Sequence, residues 1–316
     1  MASCPACGAP ALVAWRAASA SDPELAGAAS FLLERCQRCG TAATVGVPTE
    51  RASLYEGGTY APPRGGLSPA IEPLRRLAER DRMRFVGGIR PGGRVLELGA
   101  GDGRFVARLA RAGYEASGID PSASAARAAA AIGAAVERAG AESAEVAEGS
   151  LDGVVIWHAL EHLDDPAGVL GRVRVWLRPG GRTVVAVPNL ASLQARLGGD
   201  LWFHQDVPRH RTHFTPAGLR ALHERCGLRV GRVSQLLVEQ NPLGMWQTLL
   251  NRLTRERDFA FRMLKRDLSP GGVGVWGRDL AVTLLAGAPL VPVAVALELT
   301  AGLAGRGGSL VLEAQA

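Results

Sequence analysis

The sequence predicts a doubly wound α/β fold, in which a mostly parallel sheet of seven strands follows a small cysteine-rich module. From residue 70 to about residue 238, short runs rich in β-branched residues alternate with runs rich in Ala, Arg and Leu. This alternation is typical of successive βαβ units. We therefore divide the 316 residues into a module, a linker or loop, a core, and a helical insertion with a final strand, at 1–47, 48–69, 70–238 and 239–316.

Each element of the core is placed by its run of residues and by the Gly and Pro residues that bound it. The predicted helices cover 71–87, 103–112, 122–132, 166–177 and 216–226. The predicted strands cover 94–98, 115–119, 135–137, 153–157, 183–187, 229–238 and 309–314. The apolar insertion then lies between the sixth and the seventh strand.

A glycine-rich turn, VLELGAGDGRF at 95–105, follows the first strand of the core. Gly99, Gly101 and Gly103 let the backbone turn sharply into the next helix and approach a ligand closely. Glu97 lies two residues before the first glycine, where a carboxylate can face an ammonium group. Asp120 ends the second strand, where an acid can accept hydrogen bonds from both hydroxyls of a ribose. The pattern predicts a nucleoside cofactor.

The spacing E-x-G-x-G-x-G in this turn resembles motif I of class I S-adenosylmethionine-dependent methyltransferases. The resemblance covers 94–238, where GSLDGVVIWHALEHLDDP and LRPGGRTVVAVPN are similar to later motifs of the family. DVPRHRTHFTPAGL at 206–219 resembles the subgroup related to ubiquinone-biosynthesis O-methyltransferases. The resemblance implies a Rossmann-like core that uses S-adenosylmethionine.

The same resemblance implies which residues contact the cofactor. Residues of the glycine-rich turn surround its methionine part, Asp120 holds the ribose, and residues after the third and fourth strands line the adenine and the exposed side. The chain departs from many relatives at Gly140, where they have an aspartate that contacts adenine. The implied cofactor-binding residues are Glu97, Gly99, Ala100, Gly101, Gly103, Asp120, Ala141, Glu142, Trp157 and His158.

Five of the six histidines lie in loops expected at the carboxyl edge of the sheet, where open α/β folds bind ligands. Methyl transfer needs a base only when the acceptor is a hydroxyl, a phenol or an acidic carbon, and histidine suits that role. We predict that His158 or His213 is the base, with His210 and Glu161 as further catalytic candidates. His158, Glu161 and His162 also resemble a cluster that binds a divalent ion in ubiquinone-type enzymes. His223, in the middle of a helix, is expected at the surface.

Two Cys-x-x-Cys-Gly segments, Cys4 with Cys7 and Cys36 with Cys39, are separated by an apolar stretch that we expect to be partly helical. Four thiolates complete the tetrahedral shell of a structural zinc ion, so the spacing predicts a zinc ribbon. The module is expected to cap the cofactor cleft, to shape the acceptor pocket as in similar sugar methyltransferases, or to bind RNA. Cys226 is expected in the core.

The net charge of +6 does not by itself favour a nucleic-acid partner, because the arginines are scattered and alternate with acids. An Asp/Asn-Pro-Pro-aromatic signature of amino-nitrogen methylation is absent after the fourth strand, where WHALEH stands. We expect a small-molecule, lipid-like or carrier-linked acceptor methylated at O or C. An RNA methyltransferase and a non-catalytic cofactor-binding scaffold are the alternatives.

The segment 280–297 has 18 residues without a charge, which is long enough to raise a transmembrane helix. Pro289 and Pro292 interrupt it, and the chain still has to return to the sheet as the last strand. We expect a buried helical insertion that forms a lid or a homodimer face, with peripheral membrane contact as an alternative. The opening residues lack the pattern of a signal peptide, and the paired cysteines suit a reducing compartment, so the cytoplasm is the expected location.

Overall fold

The structure is a computed structural model that describes residues 3–20, 30–47, 72–238, 240–264 and 273–316. The predicted linker at 48–69 lies outside the described residues.

The N-terminal module is an antiparallel sheet of β1 (Leu12–Ala18), β2 (Phe31–Cys36) and β3 (Ala42–Val45). Leu12 lies opposite Cys36 at one end of the first pair of strands. The described residues between the cysteine pairs form strands and turns, and the rest of the stretch expected to be partly helical, 21–29, lies outside the described residues. Phe31 and Leu33 are buried while Leu32 is exposed, and this period of two is the period of a strand with one buried face.

The core sheet has seven strands, as the sequence predicts, and its strands are β4 (Arg94–Leu98), β5 (Glu115–Asp120), β6 (Val136–Arg138), β7 (Leu151–Trp157), β8 (Leu177–Pro188), β10 (Arg229–Ser234) and β11 (Ser309–Gln315). The intervening strand β9 (Thr212–His213) belongs to the sheet of the N-terminal module. The order across the core sheet is β10-β11-β8-β7-β4-β5-β6, and only β11 runs antiparallel to its neighbours. The strand order reverses between β4 and β7, so a ligand site is expected beyond their carboxyl ends.

Helices cover both faces of this sheet, which gives the doubly wound architecture. They are α1 (Glu72–Val86), α2 (Arg104–Arg111), α3 (Ala123–Ala131), α4 (Pro166–Trp176), α5 (Leu193–Gly198) and α6 (Pro216–Arg225). Alternate residues of the central strands enter two separate apolar clusters, one containing Val154 and the other Val155. Every residue of β7 is buried, as expected for a central parallel strand covered on both sides.

A helical insertion separates β10 from β11, as predicted, and comprises α7 (Gln240–Leu250), α8 (Phe259–Leu264) and α9 (Val273–Leu303). The expectation that it is buried is wrong for α9. Leu284, Leu285 and Leu303 are 67%, 78% and 78% exposed. The part of α9 from Val275 to Leu303 is long and apolar enough to cross a membrane, and 11% of its most apolar window is buried. A single such helix is weak support for a membrane span. The helix packs on α7, where Trp246 Nε1 donates to the Gly287 carbonyl at 2.8 Å, and its other face is open.

His223 is buried in α6, which corrects the expectation of a surface position. Its Nδ1 donates to the Leu219 carbonyl at 2.8 Å, and burial lowers its pKa to about 4. The N-terminal module contacts this helix, since Arg225 Nη2 donates to the carbonyl of Pro5 at 3.2 Å.

Candidate active site

The glycine-rich turn after β4 holds three glycines in the left-handed region, with φ values of 74°, 53° and 72° at Gly99, Gly101 and Gly103. A Cβ at Gly99 would lie 2.5 Å from Ala159 Cβ, and one at Gly103 would lie 2.7 Å from Ala129 Cβ. A Cβ at Gly101 would meet no atom within 4 Å. The outer two glycines therefore permit close packing, whereas Gly101 borders open space in which a ligand fits.

Asp120 lies at the end of β5 beside this turn. Its Oδ2 accepts from the Gly101 backbone N–H and its Oδ1 from the Ser122 N–H, both at 2.9 Å. Ala100 is buried behind the turn and donates to the Ile119 carbonyl at 3.0 Å. These bonds fix the carboxylate, whose oxygens each keep a lone pair for a further donor such as a ribose hydroxyl.

Glu97 is 2% exposed, and its Oε2 has no hydrogen-bond partner among the described residues. Burial raises the pKa of Glu97 to about 8, against the opposing charge of Arg82. A buried carboxylate oxygen without a donor is energetically unfavourable, and a ligand ammonium group at this place would satisfy it.

The other predicted cofactor residues lie after the neighbouring strands at the same edge of the sheet. Glu142 Oε1 accepts from the Asp164 N–H at 3.1 Å, which ties the turn after β6 to the loop after β7. Ala141 packs beside it at the rim of one apolar cluster. Trp157, at the end of β7, is buried, and its Nε1 has no partner among the described residues. The carboxyl ends of β7, β4, β5 and β6 thus bring together all the residues that the resemblance implies.

His158 directly follows β7 and has a φ of 52°, which is uncommon for a residue with a side chain. Its Nδ1 is 3.4 Å from Glu161 Oε1, and its Nε2 is buried without a hydrogen-bond partner among the described residues. Its ring stacks on that of His204, with centroids 5.9 Å apart. A carboxylate on Nδ1 favours the tautomer in which Nε2 carries the lone pair that can accept a proton.

Glu161 is 1% exposed and is surrounded by histidines. Burial alone would raise its pKa, but the contact with His158 at 3.4 Å and the charges of His162 and His210 lower it to about 2. Glu161 is therefore an ionised carboxylate in the cluster. One ligand atom from each of Glu161, His162 and His210 lies within 4.8 Å of the others, a spacing that could hold a metal ion.

Of the remaining histidines of the cluster, His204, His210 and His213 are buried and His162 is partly buried. Desolvation lowers the pKa of His162 to about 4 and of His204 and His213 to about 3. His213 lies on β9, where its Nε2 is 3.0 Å from Thr44 Oγ1 of the N-terminal module. His210 Nδ1 donates to the His204 carbonyl at 2.9 Å. Of the two histidines predicted as bases, His158 has an unpartnered Nε2 and His213 does not.

The four cysteine sulfurs of the N-terminal module lie within 4.8 Å of one another. Cys4 and Cys39 are 3.6 Å apart at Sγ, as are Cys7 and Cys36. Zn–S bonds of ~2.3 Å in tetrahedral geometry require sulfurs roughly 3.8 Å apart, so the arrangement fits such an ion. The two Cys-x-x-Cys-Gly turns are alike, since Gly8 donates to the Cys4 carbonyl and Gly40 to the Cys36 carbonyl, both at 2.9 Å.

The N-terminal module is joined to the histidine loop by a shared sheet. Its strand β3 pairs with β9, with Ala42 opposite His213. Thr44 Oγ1 donates to the His210 carbonyl at 2.7 Å, and Thr215 Oγ1 donates to the Cys39 carbonyl at 2.6 Å. The module therefore supports the loop that carries two of the candidate histidines.

Residues 71–233, just over half of the chain, match the family described as Methyltransferase domain. The chain belongs to this methyltransferase family. It is 31% identical over 157 residues to a ubiquinone biosynthesis O-methyltransferase of Aeromonas salmonicida, covering 45% of this chain and 66% of that protein, just under two thirds of its length. It is 28% identical over 201 residues to the protein of that name in Cupriavidus pinatubonensis, covering 58% of this chain and 78% of that one.

A solved SAM-dependent methyltransferase of Archaeoglobus fulgidus has the same fold, with a TM-score of 0.50 at 18% identity. The superposition covers 78% of this chain and 98% of that one. The family match and the curated relatives place the chain in the class I S-adenosylmethionine-dependent methyltransferase family, as its sequence motifs imply.

Two residues of the methyltransferase site carry no sequence signal. The Arg82 guanidinium of α1 lies 5.1 Å from the Trp157 ring centroid and faces Glu97 electrostatically. The sequence predicts its helix, but it does not distinguish Arg82 from the neighbouring arginines that face solvent. Thr44 contacts residues more than 160 positions away, so no local pattern reveals it.

Proposed function

We propose that this methyltransferase transfers a methyl group to an oxygen or carbon atom of a small-molecule, lipid-like or carrier-linked metabolite, with His158 as the base. The observation that carries the proposal is the pair of His158 and Glu161. His158 lies one residue beyond β7, and its buried Nε2 has no hydrogen-bond partner among the described residues. The enzyme is proposed to act in the cytoplasm.

Bound S-adenosylmethionine supplies an electrophilic methyl group on a sulfonium centre. Glu97 and Arg82 are placed to hold the charged ammonium and carboxylate ends of its amino-acid part. Asp120, fixed by the Gly101 and Ser122 N–H groups, is placed to accept from the ribose hydroxyls. Holding donor and acceptor in line accounts for much of the acceleration in such displacements.

His158 supplies the proton acceptor. Glu161 holds Nδ1–H, so that Nε2 takes the proton from the acceptor hydroxyl or acidic carbon as that atom forms its bond to the methyl carbon. In this transfer the sulfonium sulfur of the bound donor would keep the electron pair of the C–S bond. The proton then rests on an imidazolium beside the Glu161 carboxylate, which stabilises the charge.

We propose that the ion held by Cys4, Cys7, Cys36 and Cys39 is zinc and that its role is structural. The four thiolates leave no coordination position open for a substrate.

The runner-up functions are RNA methylation with docking through this module and a non-catalytic scaffold. A salt-sensitive RNA gel shift would favour the first, and cofactor binding without any turnover would favour the second.

We call the proposed S-adenosylmethionine site beside the glycine-rich turn after β4 the cofactor seat, and the variant Gly101→Asn tests it. Asparagine tolerates a positive φ better than most residues, so the fold should persist, while its side chain enters the open space above the turn. We expect the dissociation constant for S-adenosylmethionine, measured by calorimetry, to rise roughly tenfold or more, about 1.4 kcal/mol.

Gly149→Asn is the matched control for this change. Gly149 has a φ of 61°, and a Cβ there would also meet nothing within 4 Å, but it precedes β7 at the opposite edge of the sheet. The control should bind the cofactor as the wild type does. Equal affinity in Gly101→Asn and the wild type would contradict the proposed seat.

We further propose that the open face of α9 contacts a membrane surface peripherally. The stretch 280–297 carries no charge, and its exposed residues include Leu284 and Leu285. Exposed Arg278, which pairs with Asp279, lies in the second turn of α9, and exposed Arg306 lies three residues beyond its last residue, so that cations near both ends complement anionic headgroups. An apolar face with cationic ends fits a lipid surface better than it fits a second copy of itself.

We expect the wild type to sediment with vesicles of phosphatidylcholine and phosphatidylglycerol, and the Leu284→Ser, Leu285→Ser double variant to remain in solution. Removing two exposed leucines lowers the apolar area available to the bilayer. The control is Ile132→Ser with Val175→Ser, which removes two apolar residues of the catalytic core that are 50% and 49% exposed. A wild-type dimer that the leucine variant dissociates, without vesicle binding, would assign the face to self-association instead.

A further inference from the structure

A cavity of about 680 Å³ lies between the N-terminal module and the catalytic core. The module contributes Trp15, Arg16 and Arg35, and the core contributes Arg196 and Arg306. None of the described residues that line the cavity is acidic. Neither the sequence motifs nor the proposed methyl-transfer mechanism uses these four arginines, and only Arg306 has so far been given a role, in the proposed membrane contact of α9.

Two of the arginines are held in place by the module. The guanidinium carbons of Arg16 and Arg35 lie 4.3 and 5.1 Å from the Trp15 ring centroid. Arg16 also pairs with Asp200 at 3.2 Å, and Arg35 Nε donates to the Gly40 carbonyl at 3.2 Å. Burial lowers the pKa of Arg16 against the charge of Asp200, and the charge of Arg35 lowers it further. An anion in the cavity would relieve this crowding of like charges.

The cavity adjoins the proposed reaction centre. Its core wall is formed by residues 190–199, which follow β8 directly, and β8 is the neighbour of the strand that ends before His158. Arg16 Nη2 donates to Gln205 Oε1 at 2.5 Å. The preceding residue, His204, stacks on His158. One layer of side chains therefore separates the arginines from the candidate base.

We propose that this cavity binds a phosphate group of the acceptor, while another part of the acceptor reaches His158. The proposal rests on the proposed function and specifies its substrate class. Guanidinium groups bind phosphate oxygens through paired, charge-assisted hydrogen bonds, and a cluster of them gives both affinity and orientation. Arg306 follows the exposed Leu303 at the end of α9, so the phosphate belongs either to a soluble ester or to a lipid headgroup.

The test is titration calorimetry of inorganic pyrophosphate into the metal-replete, full-length protein without cofactor. The variant combines R196Q with R306Q, which removes two exposed cations from the core wall. The control combines R111Q with R127Q, two exposed arginines of α2 and α3, and changes the net charge equally. We expect the variant to bind roughly tenfold more weakly than the wild type and the control.

A second arm compares sedimentation with phosphatidylcholine vesicles that contain or lack phosphatidic acid. Loss of the phosphatidic acid effect in the arginine variant supports a lipid phosphate, and pyrophosphate binding without such an effect supports a soluble ester. Absence of both pyrophosphate heat and a phosphatidic acid effect in the wild type would overturn the proposal, as would equal weakening in the control. Titration of S-adenosylmethionine into the same samples shows whether the cofactor seat has failed as well.

Discussion

The variant His158→Asn is expected to lower kcat by about 10²–10⁴-fold while leaving the affinity for S-adenosylmethionine unchanged. Asparagine accepts the left-handed backbone at this position, so the loop after β7 should keep its shape. It has no group that can take the proton now assigned to Nε2. The acceptor is first identified by metabolite profiling of a deletion strain, as a precursor that is lighter than its product by one CH2. The kcat is then measured with that compound.

Two further variants separate catalysis from positioning. Glu161→Gln keeps the His158 contact but loses the charge that stabilises the imidazolium, so its kcat should fall by less than that of His158→Asn. His223→Gln alters a buried histidine away from the cluster and should change kcat little. Turnover by His158→Asn within a few-fold of the wild type would remove His158 from the mechanism.

Loss of one thiolate of the proposed zinc site is expected to unfold the N-terminal module. Zinc binding to such sites is worth ~10–16 kcal/mol, which matches or exceeds the ~5–15 kcal/mol net stability of an ordinary domain. Cys39→Ala should therefore lose its metal, measured by elemental analysis, and unfold at a lower temperature. Since Thr44 and β3 support the histidine loop, methyl transfer should fall as well, while the glycine-rich turn after β4 still binds cofactor.

Cys226→Ser is the control for this experiment. Cys226 lies outside the cluster and donates through Sγ to the Ala167 carbonyl at 3.5 Å, a contact that serine can replace. It should retain one metal ion per chain. A Cys39→Ala protein with full metal content or an unchanged unfolding temperature would refute the structural zinc site.

Local sequence patterns were sufficient to predict the secondary structure of the catalytic core. The strand predicted at 94–98 has those bounds in the structure, because Gly93 precedes it and Gly99 follows it. The left-handed glycines after it also follow from a pattern within a few residues. The bases and acids at the carboxyl edge could be proposed because parallel strands bring their loops to one side.

Contacts between distant segments could not be predicted. The partner of His213 is Thr44 of the N-terminal module, so no local pattern reveals it. The burial of His223 depends on what packs over α6, which the sequence of that helix alone does not show. For α9, uniform apolarity predicts burial, and only the packing of the whole insertion leaves one face open. Composition alone cannot distinguish an apolar helix that is covered by protein from one that contacts lipid.

The short strand β9 ties the N-terminal module to the loop that carries His210 and His213, so we expect neither to keep its structure without the other. Because residues 212–213 complete a sheet whose other strands lie before residue 46, removing the first 47 residues would leave an unpaired edge and two uncovered histidines. The module is thus not a detachable appendage. A chimera that transplants it onto another enzyme of this class would have to carry the segment 206–215 along with it.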